Sequence, residues 1–160
     1  MAYMRRYFEK GYPYFVTSIT YEREPIFLNA KMCDIMLITM EYFKLLLDYK
    51  IFAYCVMPDH VHFIIQPVGK YNLSYIMQMI KGSFSRKINK IRDKNGKIWQ
   101  KRFYDEGIRD AAMLMQKIEY IHNNPLRKKL VGSLGDYPHS SYHWYFGNNK
   151  SALAIDHLNY

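Results

Sequence analysis

Cysteine is almost missing from this chain: 160 residues hold only Cys33 and Cys55. Both stand in apolar segments and neither shows metal-ligand spacing. They argue against a cysteine-held metal or a disulfide framework, and predict two buried free thiols in a reducing compartment. Long apolar runs are missing as well. No stretch approaches the roughly 18 consecutive apolar residues that span a bilayer. The opening MAYMRRYFEKGYPYF has no apolar core of signal-peptide length. A soluble, cytoplasmic protein with no membrane partner is the expectation. Repeats, linkers and low-complexity tracts are absent too. Residues 1–160 therefore read as one domain, with 126–160 a basic and aromatic C-terminal tail.

Acidic residues are few. Asp and Glu number 14 against 23 Lys and Arg, which leaves a net charge of +9. Aromatic residues are plentiful at 17% of the chain, and 16 of them are tyrosine. Cations attract phosphates and aromatic faces stack bases, so this balance suggests a polyanionic partner. A basic protein with no such partner has the same composition.

Local patterns predict an α+β order. Tyr14 to Thr20 (YFVTSIT) is rich in β-branched and aromatic residues and reads as a strand. Ala30 to Tyr49 reads as a helix, with Ile35, Ile38, Tyr42, Leu45 and Leu46 forming the expected buried stripe. Ala53 to Pro67 (AYCVMPDHVHFIIQP) reads as two strands joined at Pro58-Asp59. A second helix begins near Asn72 or Ser74, buries Leu73, Ile76, Met77, Ile80, Phe84, Ile88 and Ile91, and leaves Lys81, Arg86, Lys90 and Arg92 off that stripe. An extended segment follows from Ile98 to Ile108, with Gly107 at a bulge or close approach. A third helix starts after Asp110 and runs to about His122, because Pro125 opposes its continuation. Helices packed on an antiparallel sheet accommodate this order.

The chemistry concentrates in His60-Val61-His62. Residues two apart on a strand share a face, so the two imidazoles project together, with Ile64 and Gln66 further along the row. Val61, Phe63 and Ile65 face the other way. Such a pair can converge on one metal ion or one anion. On the third helix Leu114, Ile118 and Ile121 form the core stripe. Lys117, Tyr120 and Asn124 share a neighbouring edge, three and four residues apart. A phenol, an amide oxygen and an ammonium opposite two imidazoles suit phosphodiester cleavage. A divalent metal would polarise the phosphate, and the phenol oxygen would attack phosphorus to leave a covalent phosphotyrosine. A His-x-His strand alone also occurs by chance and in zinc hydro-lyases. With 16 tyrosines in the chain, spacing alone does not select Tyr120.

Four blocks carry a resemblance. AYCVMPDHVHFII resembles the YxxMPxHxH motif of the single-tyrosine transposases in the HUH endonuclease superfamily. YIHNNPLRKKLV is similar to the YIHxNPxRxxLV block of the REP-associated tyrosine transposase branch. IWQKRFYDEGIRD resembles the block between these two, and YPHSSY the tail motif. They fall in family order from Ala53 to Tyr142, and the resemblance extends over roughly Tyr14 to Tyr145. His139 stands where family members often have Trp.

The resemblance implies a ferredoxin-like antiparallel sheet with packed helices. It implies a metal-dependent endonuclease and strand transferase that cleaves single-stranded, hairpin-containing DNA through a 5′-phosphotyrosine link. On the matching positions His60 and His62 become metal ligands, Tyr120 the nucleophile, and Asn124 the polar residue completing the metal shell. The expected cofactor is Mg²⁺ or Mn²⁺; imidazole favours Mn²⁺, and Mg²⁺ prefers oxygen. Candidate DNA contacts are Lys81, Arg86, Lys90, Lys117, Arg127, Lys128 and Lys129. Base stacking is expected among Tyr104, Tyr142 and Trp144. Asp59 reads as a turn residue first, and only distantly as a metal-shell carboxylate. Both a monomer and a homodimer suit the family. Two rivals stand beside this reading: a domesticated hairpin-binding protein without transposition activity, and an unrelated zinc enzyme acting on small molecules.

Overall fold

The computed structural model describes residues 11–147 and 151–158. Strand β1 (Tyr14–Ile19), helix α1 (Ala30–Leu47), strands β2 (Tyr49–Met57) and β3 (His60–Pro67), helix α2 (Leu73–Arg92) and strand β4 (Tyr104–Gly107) follow one another. Helix α3 (Ala111–Arg127) and the short α4 (Tyr142–Phe146) come after them. The sheet runs β2-β3-β1-β4 with every neighbouring pair antiparallel. This β-α-β-β-α-β order with β1 and β3 central is the ferredoxin-like arrangement, as expected.

The pleat divides the protein into two layers. Val16, Val61, Phe63 and Ile65 point to one side and pack with α1 and α2 residues such as Met36, Met40, Ile80 and Phe84. Phe15, Ala53, Cys55 and Ile64 point to the other, where Leu114, Ile118 and Ile121 of α3 cover them. Both cysteines are free and buried. No helix among the described residues is long and apolar enough to cross a membrane.

Helix starts follow the expected caps. The side chains of Asn72 and Asp110 accept from the amides of Tyr75 and Met113. Three expectations about helices need correction. In α1 the buried face is Met32, Cys33, Met36, Leu37, Met40, Phe43 and Leu47, whereas Ile38, Tyr42, Leu45 and Leu46 are exposed. This helix is apolar nearly all round, so two stripes at helical spacing compete and periodicity does not say which faces the sheet. Ile91, at the end of α2, is exposed as well. Helix α3 does not stop before Pro125: it carries the proline in its last turn, with Asn124 and Pro125 both buried, and gives way two residues later. Lys128 N–H bonds the Asn124 carbonyl and Leu130 N–H the Pro125 carbonyl, while Lys129 turns to a positive φ of 58°.

The 98–108 segment forms only the four-residue β4, preceded by an isolated bridge between Trp99 and Thr20. Gly107 pairs with Tyr14 in regular register, without a bulge. After α3 the chain returns along the free edge of β2. Val56 N–H bonds the His139 carbonyl, and Ser141 N–H bonds the Tyr54 carbonyl. The Tyr137 hydroxyl donates to the Val56 carbonyl. The YPHSSY motif thus closes a sheet edge that would otherwise present unpaired backbone groups.

Candidate functional site

His60 and His62 rise from β3 on the α3 side of the sheet. Their Nε2 atoms lie 3.1 Å apart. Each Nδ1 has its own partner. Asp59 Oδ1 is 2.6 Å from Nδ1 of His60, and Thr17 Oγ1 is 2.8 Å from Nδ1 of His62. A carboxylate only accepts, so His60 carries its proton on Nδ1 and turns an Nε2 lone pair toward its neighbour. Threonine donates or accepts equally well, so Thr17 serves either tautomer of His62. The Asp59 carboxylate is itself held by Arg23, at 3.2 Å.

Burial keeps both imidazoles neutral. It pushes His60 below its usual range, against the pull of the Asp59 carboxylate. Burial, with the charges of His60, Arg127 and Lys128, pushes His62 down to about 3. At Asp59 burial opposes the charged form, but the hydrogen bonds from His60 and Arg23 outweigh it and hold the carboxyl below its ordinary value. Neutral imidazole is the form that binds metals.

Asn124 reaches the pair from α3. It is 1% exposed, its Nδ2 lies 3.4 Å from His60 Nε2, and its Oδ1 is buried without a hydrogen-bond partner. Amide oxygen and nitrogen exchange places by a flip of the side chain, which brings that unpartnered acceptor to the histidines. Among the described residues no group of three or more His, Cys, Asp and Glu side chains gathers as a metal site. The donors here are two imidazoles and an amide. They fit a divalent cation: two nitrogens on perpendicular bonds of about 2.1 Å to one ion would sit about 3 Å apart, and the third donor lacks any other partner.

Tyr120 stands beside them. Its ring centroid is 5.8 Å from that of His62 and 5.7 Å from that of Phe15, both edge to face, and the residue is 38% exposed. The Arg127 guanidinium lies 4.2 Å over the Tyr120 ring. His62 stacks on Phe15 at 5.4 Å, so one buried phenylalanine fixes both rings. Phe15, Thr17 and Arg127 hold the His62 imidazole and the phenol in place, and sequence reasoning gave none of them this part. Asp59 was visible as the neighbour of His60, but the direction of its carboxylate was not.

The seven candidate DNA-contacting cations separate. Arg127 and Lys128 are exposed at the end of α3 and their charges reach His62; Lys129 follows them. Lys117 Nζ lies 2.7 Å from Glu106 and 5.0 Å over the Phe15 ring. Lys81, Arg86 and Lys90 belong to α2, across the sheet from the histidines. Lys81 donates to the Gln100 carbonyl and lies over Trp99 and Phe103. These three do not join the site. Tyr142 packs against His122 of α3, and Trp144 against His157 within the tail.

A ferredoxin-like sheet that presents paired histidines to a tyrosine-bearing helix defines the class, and comparison with known proteins agrees. The model of the IS200-like transposases matches residues 10–124, and the chain belongs to that family. An Escherichia coli K12 relative, a REP-associated tyrosine transposase, is 30% identical over 146 residues, covering 89% of this chain and 84% of the relative. A Haemophilus influenzae relative is 31% identical over 156 residues, covering 89% of this chain and 86% of its own. Among solved structures, a REP-associated tyrosine transposase bound to a REP hairpin superposes with a TM-score of 0.80 at 26% identity. It covers 100% of this chain and 95% of that one.

Proposed function

We propose that this protein is a metal-dependent single-strand DNA endonuclease and strand transferase acting on hairpin-containing DNA, with Tyr120 as nucleophile. The observation that carries the reading is the 5.8 Å separation of the Tyr120 and His62 rings within one chain. A nucleophile and a phosphate-binding pair in one chain need no second copy, so the reading includes cleavage in cis by a monomer. The relative solved with a REP hairpin supports hairpin DNA as the substrate class.

His60, His62 and the Asn124 amide would hold Mg²⁺ or Mn²⁺. Bound there, the ion would supply Lewis-acid polarisation of a phosphoryl oxygen. Asp59 and Thr17 orient the two imidazoles, and Phe15 and Arg127 fix the phenol ring. The Tyr120 oxygen forms a bond to phosphorus as its proton passes to solvent. The bond from phosphorus to the 3′ oxygen breaks, and that oxygen leaves as a hydroxyl. The 5′-phosphotyrosine keeps the energy of the broken ester, so a later 3′ hydroxyl can attack it and release Tyr120. Arg127, Lys128 and Lys129 give the approaching backbone its positive surface.

A hairpin oligonucleotide with single-stranded flanks, Mn²⁺ and a denaturing gel test this. Wild type should form a protein-linked DNA adduct, and Tyr120→Phe should bind the hairpin without forming it. An adduct in Tyr120→Phe would overturn the nucleophile. Binding by wild type that never yields an adduct would favour the hairpin-binding protein, and no hairpin binding at all the zinc enzyme.

A further inference from the structure

Beside the histidine pair lies a second aromatic surface that the cleavage chemistry does not use. Thr17 pairs with His62 on one side and with Tyr104 on the other. Partners across a pleated sheet point to the same face, so Tyr104 stands on the site's face two strands from His62. That separation is about 10 Å, a span of the order of one nucleotide. Tyr104 is 56% exposed, and its ring lies 6.4 Å from that of Phe15 at an interplanar angle of 73°. The same Phe15 ring contacts Tyr120, so one buried phenylalanine carries an exposed phenol on either flank.

The charge around Tyr104 suits a phosphodiester chain. Glu106, next along the row, is 3.5 Å from the Tyr104 hydroxyl, but its carboxylate is matched by Lys117 at 2.7 Å. The Arg127 guanidinium lies over the Tyr120 ring, and its charge and that of Lys128 reach His62. Burial does not account for Tyr104, because more than half of it meets solvent.

We infer that Tyr104 is the stacking platform for an unpaired nucleobase next to the scissile phosphate. This rests on the endonuclease reading above and adds a base-binding subsite to it. The ligand is the π-face of a base, so the subsite tolerates any sequence. The hydroxyl is dispensable, and the ring is not.

Hairpin oligonucleotides with single-stranded flanks of mixed sequence, carrying 2-aminopurine at one flank position at a time, supply the probe. They are titrated into Tyr120→Phe protein, so that binding is read without cleavage. One flank position should be strongly quenched on binding. Tyr104→Phe and Tyr104→Trp should keep that quench, and Tyr104→Leu should lose it while weakening binding about tenfold. Tyr104→Leu retains an apolar side chain on the strand, and circular dichroism checks its fold. Quenching at that position that survives in Tyr104→Leu overturns the inference, as does quenching lost equally in Tyr104→Phe, or no quenched flank position at all in a protein that binds the hairpin. The adduct assay with wild-type protein reports separately on the endonuclease reading.

Discussion

Oδ1 of Asp59 lies 2.6 Å from Nδ1 of His60, and this contact decides which nitrogen of His60 faces the site. Adjacent residues on a strand point to opposite faces, but Asp59 precedes the strand, in the turn, where its carboxylate can fold back onto the next side chain. The pair therefore needs the turn as much as the strand.

Asp59→Ala should weaken Mn²⁺ binding by about 10- to 100-fold, the usual effect of losing the partner that orients a ligating histidine. Asp59→Asn keeps an acceptor and should stay within a few-fold of wild type. Electron paramagnetic resonance titration without DNA reads this directly. An Asp59→Ala protein that binds Mn²⁺ as tightly as wild type would show that the carboxylate does not position His60.

Asn124→Leu should move stability and metal binding in opposite directions. The amide oxygen is buried without a partner, and an apolar side chain of similar size removes that unsatisfied acceptor. Metal-free stability should hold or rise by about 1 kcal/mol, measured as a urea midpoint. Mn²⁺ affinity should fall in the same protein. Loss of stability without loss of metal binding would make Asn124 a packing residue.

The cations on the two faces of the sheet should separate by salt dependence. Arg127→Ala and Lys128→Ala should each flatten the slope of log affinity for hairpin DNA against log salt by about 0.7 to 0.9, one phosphate contact apiece. Arg86→Ala and Lys90→Ala, on α2 across the sheet, should leave that slope unchanged. Equal effects from both pairs would mean that the DNA wraps around the domain.

The two thiols should be silent in the native state. Cys33 and Cys55 are both 0% exposed. Burial, with a smaller push from Asp34, raises the Cys33 thiol to about 12, and burial raises Cys55 also. A chromogenic thiol reagent at pH 8 should give no reaction with folded protein and two equivalents in denaturant. One fast equivalent from the native protein would refute the burial of one of them.

Much of this was legible in the sequence because β3 alternates without interruption. His60, His62 and Ile64 fall on one side, and Val61, Phe63 and Ile65 on the other. Helix α3 was legible for the same reason, with Leu114, Ile118 and Ile121 as one stripe. What periodicity does not carry is which of two apolar faces a helix buries, as α1 shows. Nor does it carry strand register, and so Thr17 and Phe15 gave no hint of their closeness to His62. The proline rule failed at Pro125 because packing of the last turn outweighed a local bias. The tail motif gave no sign that its backbone would close the β2 edge. Charge counting in turn placed no cation on either face.

Because β3 is hydrogen-bonded on both sides, a slip of one residue relative to its neighbours would exchange its faces. The imidazoles would then enter the layer under α1 and α2, and Val61 and Phe63 would take their place opposite Tyr120. Losing the site by such a slip is the same event as losing the core. Insertions and deletions that shift this register should therefore yield no folded protein rather than a folded one with a misplaced site. Graded effects are left to substitutions, and the register of one strand acts as a safeguard against half-built sites.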